Sequence, residues 1–168
     1  ILTNFKDFKV LFITSSTKKM YDKQGKVFLD SYFKYQNDDL LYLTENFKLD
    51  INKKNLIEYD ILNHKFLIDW LEKFKYLIPK ELGGDYDIKS NKYNFMIPKT
   101  TYNVKHNLFK GDWNFKASLW FRKIASLHYA YETFKDKYNV LIWIDIDSLI
   151  KKEINKLYIN KLFNNKDF

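Results

Sequence analysis

One stretch constrains this chain more than any other: Val140-Leu141-Ile142-Trp143-Ile144, its most hydrophobic run, followed directly by Asp145-Ile146-Asp147. Consecutive apolar residues with no polar alternation suit a strand covered on both faces, as in a parallel sheet. The run is therefore expected to be a central strand. Parallel strands need crossovers, and the preceding sequence supplies one. Trp120, Ile124, Leu127, Tyr131 and Phe134 step by four and three, which predicts a helix with one apolar stripe. Arg122 falls opposite that stripe, where it should face solvent, and Lys123 falls at its edge.

Two further runs have the same character. Val10-Leu11-Phe12-Ile13 is bounded by Thr14-Ser15-Ser16-Thr17, and Leu40 to Thr44 is followed by Glu45. Val27 to Tyr35, between them, reads as a short helix, so the chain opens as a βαβ unit. From His64 to Leu77, Phe66, Leu67, Trp70, Leu71, Phe74 and Leu77 recur at helical spacing, and Pro79 stops that helix because it lacks an N–H. Pro79 to Asp112 reads as loops around a strand at Tyr93 to Ile97. After Ser148, the positions Leu149, Ile150, Ile154, Leu157 and Leu162 suggest a last helix. The expectation is one domain, residues 1–168, with a Rossmann-like three-layer α/β/α architecture and a mostly parallel central sheet.

The net charge of +8 invites a nucleic-acid reading, but among 29 basic residues only Arg122 is an arginine. Bidentate phosphate and base contacts are made by guanidinium groups, so nucleic acid is not an expected partner. Abundant Lys, Asn, Ile, Phe and Tyr with little Ala, Gly or Pro is the bias of an AT-rich genome, which spreads lysine over the whole surface. No apolar run approaches the roughly 20 residues a membrane-spanning helix needs, and no signal peptide opens the chain. A cytoplasmic location is the expectation. The absence of cysteine excludes disulfides and thiolate metal sites. The chain begins at Ile1 without a methionine and stops at Phe168 just after an amphipathic stretch, as a piece of a longer protein would.

Asp145 and Asp147 carry the chemistry. Side chains at i and i+2 of an extended segment point the same way, and two anions side by side repel unless a cation sits with them. Their place past a strand's carboxyl end is where open α/β sheets bind ligands. Carboxylate oxygens suit Mn²⁺ or Mg²⁺, ions that also bind the oxygens of a diphosphate. The plain alternative makes Asp145 a strand-end residue and Asp147 the cap of the following helix. Thr14, Ser15 and Ser16 stand where a first βα loop meets a nucleotide, and they read equally well as a polar turn. The glycines of a Walker or dinucleotide loop are missing there, which excludes those motifs. Glu45 is a candidate for the base or ribose, with an exposed loop acid as the alternative. Tyr21 is a candidate to stack on the base, with core packing the stronger reading. His64, His106 and His128 have no ligand spacing.

Trp120-Phe121-Arg122-Lys123-Ile124, a helix, and then Val140 to Ile150 with its Asp145-Ile146-Asp147 resemble the core of the GT-A-fold glycosyltransferases. The similarity is to the galactosyl-, mannosyl- and xylosyltransferase family with a W-x-K … W-x-W-x-D-x-D-x-x-I pattern, and it covers Trp120 to Ile154. It implies a nucleotide-sugar donor, usually UDP-linked, a glycan or glycoprotein acceptor, and Mn²⁺ held by the acidic pair. On that resemblance Asp147 ligates the metal, Asp145 contacts the metal or the donor ribose, and Lys123 matches a helix lysine near the donor. The family's acceptor half, with its further metal ligand and catalytic residues, has no counterpart here. Two other classes compete. Haloacid-dehalogenase-like phosphatases also place D-x-D after an apolar strand, but their pattern wants Thr or Val where Leu149 stands. A non-enzymatic module would bind glycans or nucleic acid through exposed Tyr and Trp.

Overall fold

The computed structural model describes residues 8–75 and 113–164, with the backbone alone at 113–119 and at Asn164. The expected stop at Pro79 and strand at Tyr93–Ile97 lie outside these residues. The chain forms two compact units, residues 1–61 with 126–168, and residues 62–125.

The first unit is built on four parallel strands: β1 (Val10–Thr17), β2 (Asp39–Glu45), β3 (Leu56–Asp60) and β4 (Val140–Trp143), in the order β3-β2-β1-β4. The uninterrupted apolarity of β1 and β2 has the consequence it predicts. Val10, Phe12, Leu40 and Tyr42 are buried on one face, and Leu11, Ile13, Leu41 and Leu43 on the other. Removing a side chain of this kind from water contributes about 1.5–3 kcal/mol, so the two strands anchor the unit.

On the first face, Phe28, Leu29 and Tyr32 close the core together with Ile144, Ile146, Ile150 and Ile159. Phe47, Leu49 and Ile51, from the connection between β2 and β3, pack on the same cluster. On the second face, Tyr129 stacks on Tyr59 of β3, with ring centroids 3.9 Å apart and planes 11° from parallel. Helices flank a parallel sheet, and the fold is α/β and Rossmann-like.

The helical stretch after β1 begins without a loop. It runs through α1 (Lys18–Met20), a π turn (Tyr21–Gly25) and α2 (Lys26–Tyr35). Thr17 caps it, its Oγ1 accepting from the Met20 amide at 3.4 Å. Gly25 explains how this stretch sits so low on the sheet. A Cβ there would lie 2.6 Å from Tyr21 Cδ2 and 2.9 Å from Tyr42 Oη, well inside van der Waals contact.

Three expectations need correction. Thr14 to Thr17 belong to β1 and form no loop. β4 lies at the edge of the described sheet rather than at its centre, pairing with β1 alone. Its four residues are each only half-buried, because an edge strand is wrapped less completely than β1 and β2. The third correction concerns α4 (Trp113–Phe134), whose buried face is not the predicted stripe. Trp120, Ile124 and Tyr131 are more than half exposed, while Arg122, Ala125, Ser126 and Ala130 are buried. Positions 122, 125, 126 and 130 step by three, one and four, so they too share one face of the helix. Three of these four side chains are small, but Arg122 is buried with them, against the expectation that it faces solvent.

The last helix, α5 (Lys156–Asn164), starts later than Leu149, and residues 144–155 are irregular. In the second unit, Trp70 of α3 (Lys65–Phe74) stacks on Phe121 of α4 at 4.2 Å, and Phe66 packs on the same ring at 5.3 Å. No helix among the described residues is long and apolar enough to cross a membrane.

Candidate functional site

The strand order creates a fork. From β1 the chain moves to β2 and then β3 on one side, whereas β4 lies on the other side of β1. The helical stretch after β1 and the segment after β4 nonetheless pack on the same face, and in open α/β sheets ligands bind outside the carboxyl ends of the strands. Asp145 and Asp147 follow β4 at that fork. The ladder holds up to their doorstep: Ile13 pairs with Trp143, and the Ile144 amide donates to the Ile13 carbonyl at 2.9 Å.

Past this bond the segment keeps a period of two. Ile144 and Ile146 are buried, while Asp145 and Asp147 are exposed. Burial of the isoleucines thus turns both carboxylates outward. The Ser148 amide donates to the Asp145 carbonyl at 3.0 Å and closes a tight turn. Farther on, the Ile150 amide donates to Ser31 Oγ at 3.1 Å, and that hydroxyl donates to the Phe28 carbonyl at 2.8 Å, which ties the segment to α2. Trp143 Nε1 donates to Asp145 Oδ1 at 2.6 Å.

No helix starts at Asp147; α5 begins only at Lys156. The capping role is therefore not the one Asp147 plays. In a chain of net charge +8, Asp147 makes no ion pair among the described residues. Asp22, Asp50 and Asp69, by contrast, are each paired with a lysine, at 2.5 to 2.7 Å.

The period of two also divides the hydroxyls of β1. Thr14 and Ser16 turn to the face beneath the helical stretch. Thr14 is fully buried and its Oγ1 has no partner, and Ser16 Oγ shares a 2.6 Å hydrogen bond with Tyr42 Oη. Ser15 is half-buried on the opposite face, the next residue on that face after Ile13. Glu45, the last residue of β2, is half-buried and pairs in register with Thr17. By register, Ser15 and Glu45 lie on the face that Trp143 shares, and the indole bond draws Asp145 to that face. The structure thus brings Glu45, Ser15 and Asp145 to one edge of one face, with Asp147 beyond, and sets Thr14 and Ser16 on the other. Lys123 is half-buried on α4 in the second unit.

Tyr21 is buried in the core. Its hydroxyl donates to Asp50, and Lys26 Nζ donates to the other oxygen of that carboxylate at 2.7 Å. The Lys26 ammonium first, and the Tyr21 hydroxyl second, hold the Asp50 carboxyl down at about 2. Burial, and then the Asp50 carboxylate, push the Tyr21 phenol up to about 12. This brace and the indole bond to Asp145 were not anticipated from the sequence. Trp143 and Asp145 carry the signal for the second, since i and i+2 share a side of an extended segment. Tyr21, Lys26 and Asp50 carry none, being joined only through the fold.

The donor chemistry at the fork fits one kind of metal site. No group of three or more His, Cys, Asp or Glu able to hold a metal occurs among the described residues. Two outward carboxylates do not make an all-protein cage. They suit Mg²⁺ or Mn²⁺, which keep several waters and take substrate phosphates alongside one or two carboxylates. Comparison of the chain with protein-family models, curated proteins and solved structures finds no match.

Proposed function

We propose that this chain is the nucleotide-sugar-binding part of a metal-dependent glycosyltransferase, with a UDP-linked sugar as donor and a glycan or other hydroxyl as acceptor. One observation supports the reading above the others: Asp145 and Asp147 are both held outward at the carboxyl end of β4, beside the fork between β1 and β4. A Mn²⁺ or Mg²⁺ ion bound there would act as a Lewis acid on the leaving diphosphate. In this reading Asp147 is the principal metal ligand, and Asp145 contacts the metal or the ribose. Glu45 accepts from a donor hydroxyl, and Ser15 offers its hydroxyl along the same edge. Ser16 stiffens the end of β1 from inside through its bond to Tyr42, and Thr14 contributes by packing alone.

A thermal-shift screen of UDP-, GDP- and other nucleotide sugars, with and without Mn²⁺, tests the proposal. The expected result is a higher melting temperature with a UDP-sugar only when Mn²⁺ is present. Stabilisation by glycans without metal would favour the binding-module reading, and no shift with any nucleotide sugar would sink the transferase.

A further inference from the structure

We infer that α5 is a membrane-surface helix, whose outward face lies on an anionic bilayer with Leu157, Tyr158 and Leu162 in the interface and Lys161 at the headgroups. The inference is independent of the metal-site reading above. One side of α5 holds it to the first unit. Ile159 is buried in the core cluster, and Lys156 Nζ lies over the Phe8 ring, 5.5 Å from its centre. Asn155 Oδ1 caps the helix by accepting from the Tyr158 amide at 2.9 Å. At about 100° per residue, Leu157, Lys161, Tyr158 and Leu162 fan over one arc of roughly 140°, on the side away from Ile159. Their exposure agrees: Leu157 is 74% exposed, Tyr158 56% and Leu162 50%.

Charge selects the occupant of this face. Residues 149–163 contain four lysines, Lys151, Lys152, Lys156 and Lys161, against one acid, Glu153. Lys151, Lys152 and Lys161 are exposed and make no ion pair among the described residues. Bulky apolar side chains beside unpaired lysines match the two layers of an anionic lipid surface, its acyl boundary and its phosphates. Tyr158 has an apolar ring and a polar tip, the form that settles at headgroup level. Lys161 keeps its stem among the apolar groups while its ammonium reaches the phosphates. The nine residues of α5 rise about 13 Å, well short of a bilayer's apolar core, so the helix lies along the surface. A second copy suits the face poorly, because a symmetric contact would set the same lysine-bearing surface against itself.

Two measurements test the surface. The chain has no cysteine, so an environment-sensitive fluorophore on Tyr158→Cys reports on α5 alone. The same label on Lys23→Cys reports on the helical stretch after β1, where Lys18, Lys19 and Lys26 are also exposed. Vesicles of phosphatidylcholine mixed with phosphatidylserine should blue-shift the label at 158 and leave that at 23 unchanged. Pure phosphatidylcholine should shift neither. The second measurement is sedimentation with the mixed vesicles. Leu157→Gln with Leu162→Gln, which alters no charge, should weaken binding at least about tenfold. Lys161→Gln should weaken it about fivefold. All three positions are exposed, so both variants should keep the wild-type melting temperature. Wild-type vesicle binding in the double variant, an equal shift at both labels, or no shift at 158 overturns the inference. So does a soluble acidic polypeptide, polyglutamate, that shifts the label at 158 as strongly as the vesicles do, since the face would then fit an acidic protein.

Discussion

The carboxyl ends of β1 and β4 are neighbours in one sheet, yet they dispose of their polar groups in opposite directions. At the end of β1, Thr14 and Ser16 point inward and are buried. Past the end of β4, Ile144 and Ile146 point inward, while Asp145 and Asp147 point out. β1 is covered on both faces, so whichever side its alternate residues take, their polar atoms must be satisfied inside the protein or go without. The segment after the edge strand is covered on one side only, which leaves every second residue to solvent. One end is thereby committed to stability and its neighbour is open to a ligand.

Asp147→Asn gives the largest expected effect on this contrast. It keeps shape and hydrogen bonding but removes the charge facing the metal and diphosphate. Mn²⁺-dependent affinity for UDP-sugar should fall at least about 100-fold, or about 2.7 kcal/mol. Unfolding free energy in urea should change by less than about 0.5 kcal/mol, as for other exposed positions. Unchanged affinity by calorimetry would falsify the metal-ligand role.

Tyr42→Phe should do the reverse. It strips the buried Ser16 hydroxyl of its partner, at a cost of about 1–3 kcal/mol in urea unfolding. Metal-dependent binding should survive, and its loss would mean that the two ends are not separate. Thr14→Val sharpens the point with an opposite sign. The Thr14 hydroxyl is buried without a partner, so a methyl in its place should stabilise by on the order of 1 kcal/mol. Destabilisation instead would place a bonded water at that hydroxyl.

The smallest effect belongs to Asp50, whose brace serves the inward side. Its carboxyl, held at about 2 by Lys26 and then Tyr21, lies below its ordinary 3.8. Such a group contributes stability above the ordinary value and loses it as pH falls through about 2. Melting temperature should therefore decline from pH 4 to pH 2 less steeply in Asp50→Asn than in the wild type. Parallel profiles would show that the brace adds nothing.

What could be read in advance followed from periodicity, and what could not followed from competition between faces. Val10–Ile13 and Leu40–Thr44 were legible as buried strands because continuous apolarity leaves a short segment few other places. The same logic overreached at Val140–Ile144, since hydrophobicity measures the wish to be covered and not the number of neighbours. On α4 two helical faces were available, and the one carrying Arg122, Ala125, Ser126 and Ala130 is buried in place of the aromatic stripe. β3 was missed because Leu56-Ile57-Glu58-Tyr59-Asp60 mixes apolar and acidic residues, and parallel pairing with β2 supplies what its own pattern lacks. Of the site, the outward pairing of Asp145 and Asp147 was legible from their spacing. The split between Thr14 and Ser15 was not, because a run read as a turn carries no alternation.

Gly25 has a meaning for kinship. With Tyr21 Cδ2 and Tyr42 Oη both within 3 Å of any Cβ, the glycine and the two rings form a single unit of inheritance. A diverging copy that replaced Gly25 would have to surrender one tyrosine in the same step, or lift the helical stretch off β2. Surface lysines are free to drift, and two acids one residue apart arise easily by chance. A glycine four residues after one tyrosine and seventeen before another, each at its own place on a β-α-β frame, does not. Distant relatives of this chain should be recognisable by that interlocked trio even where the acidic pair has been lost.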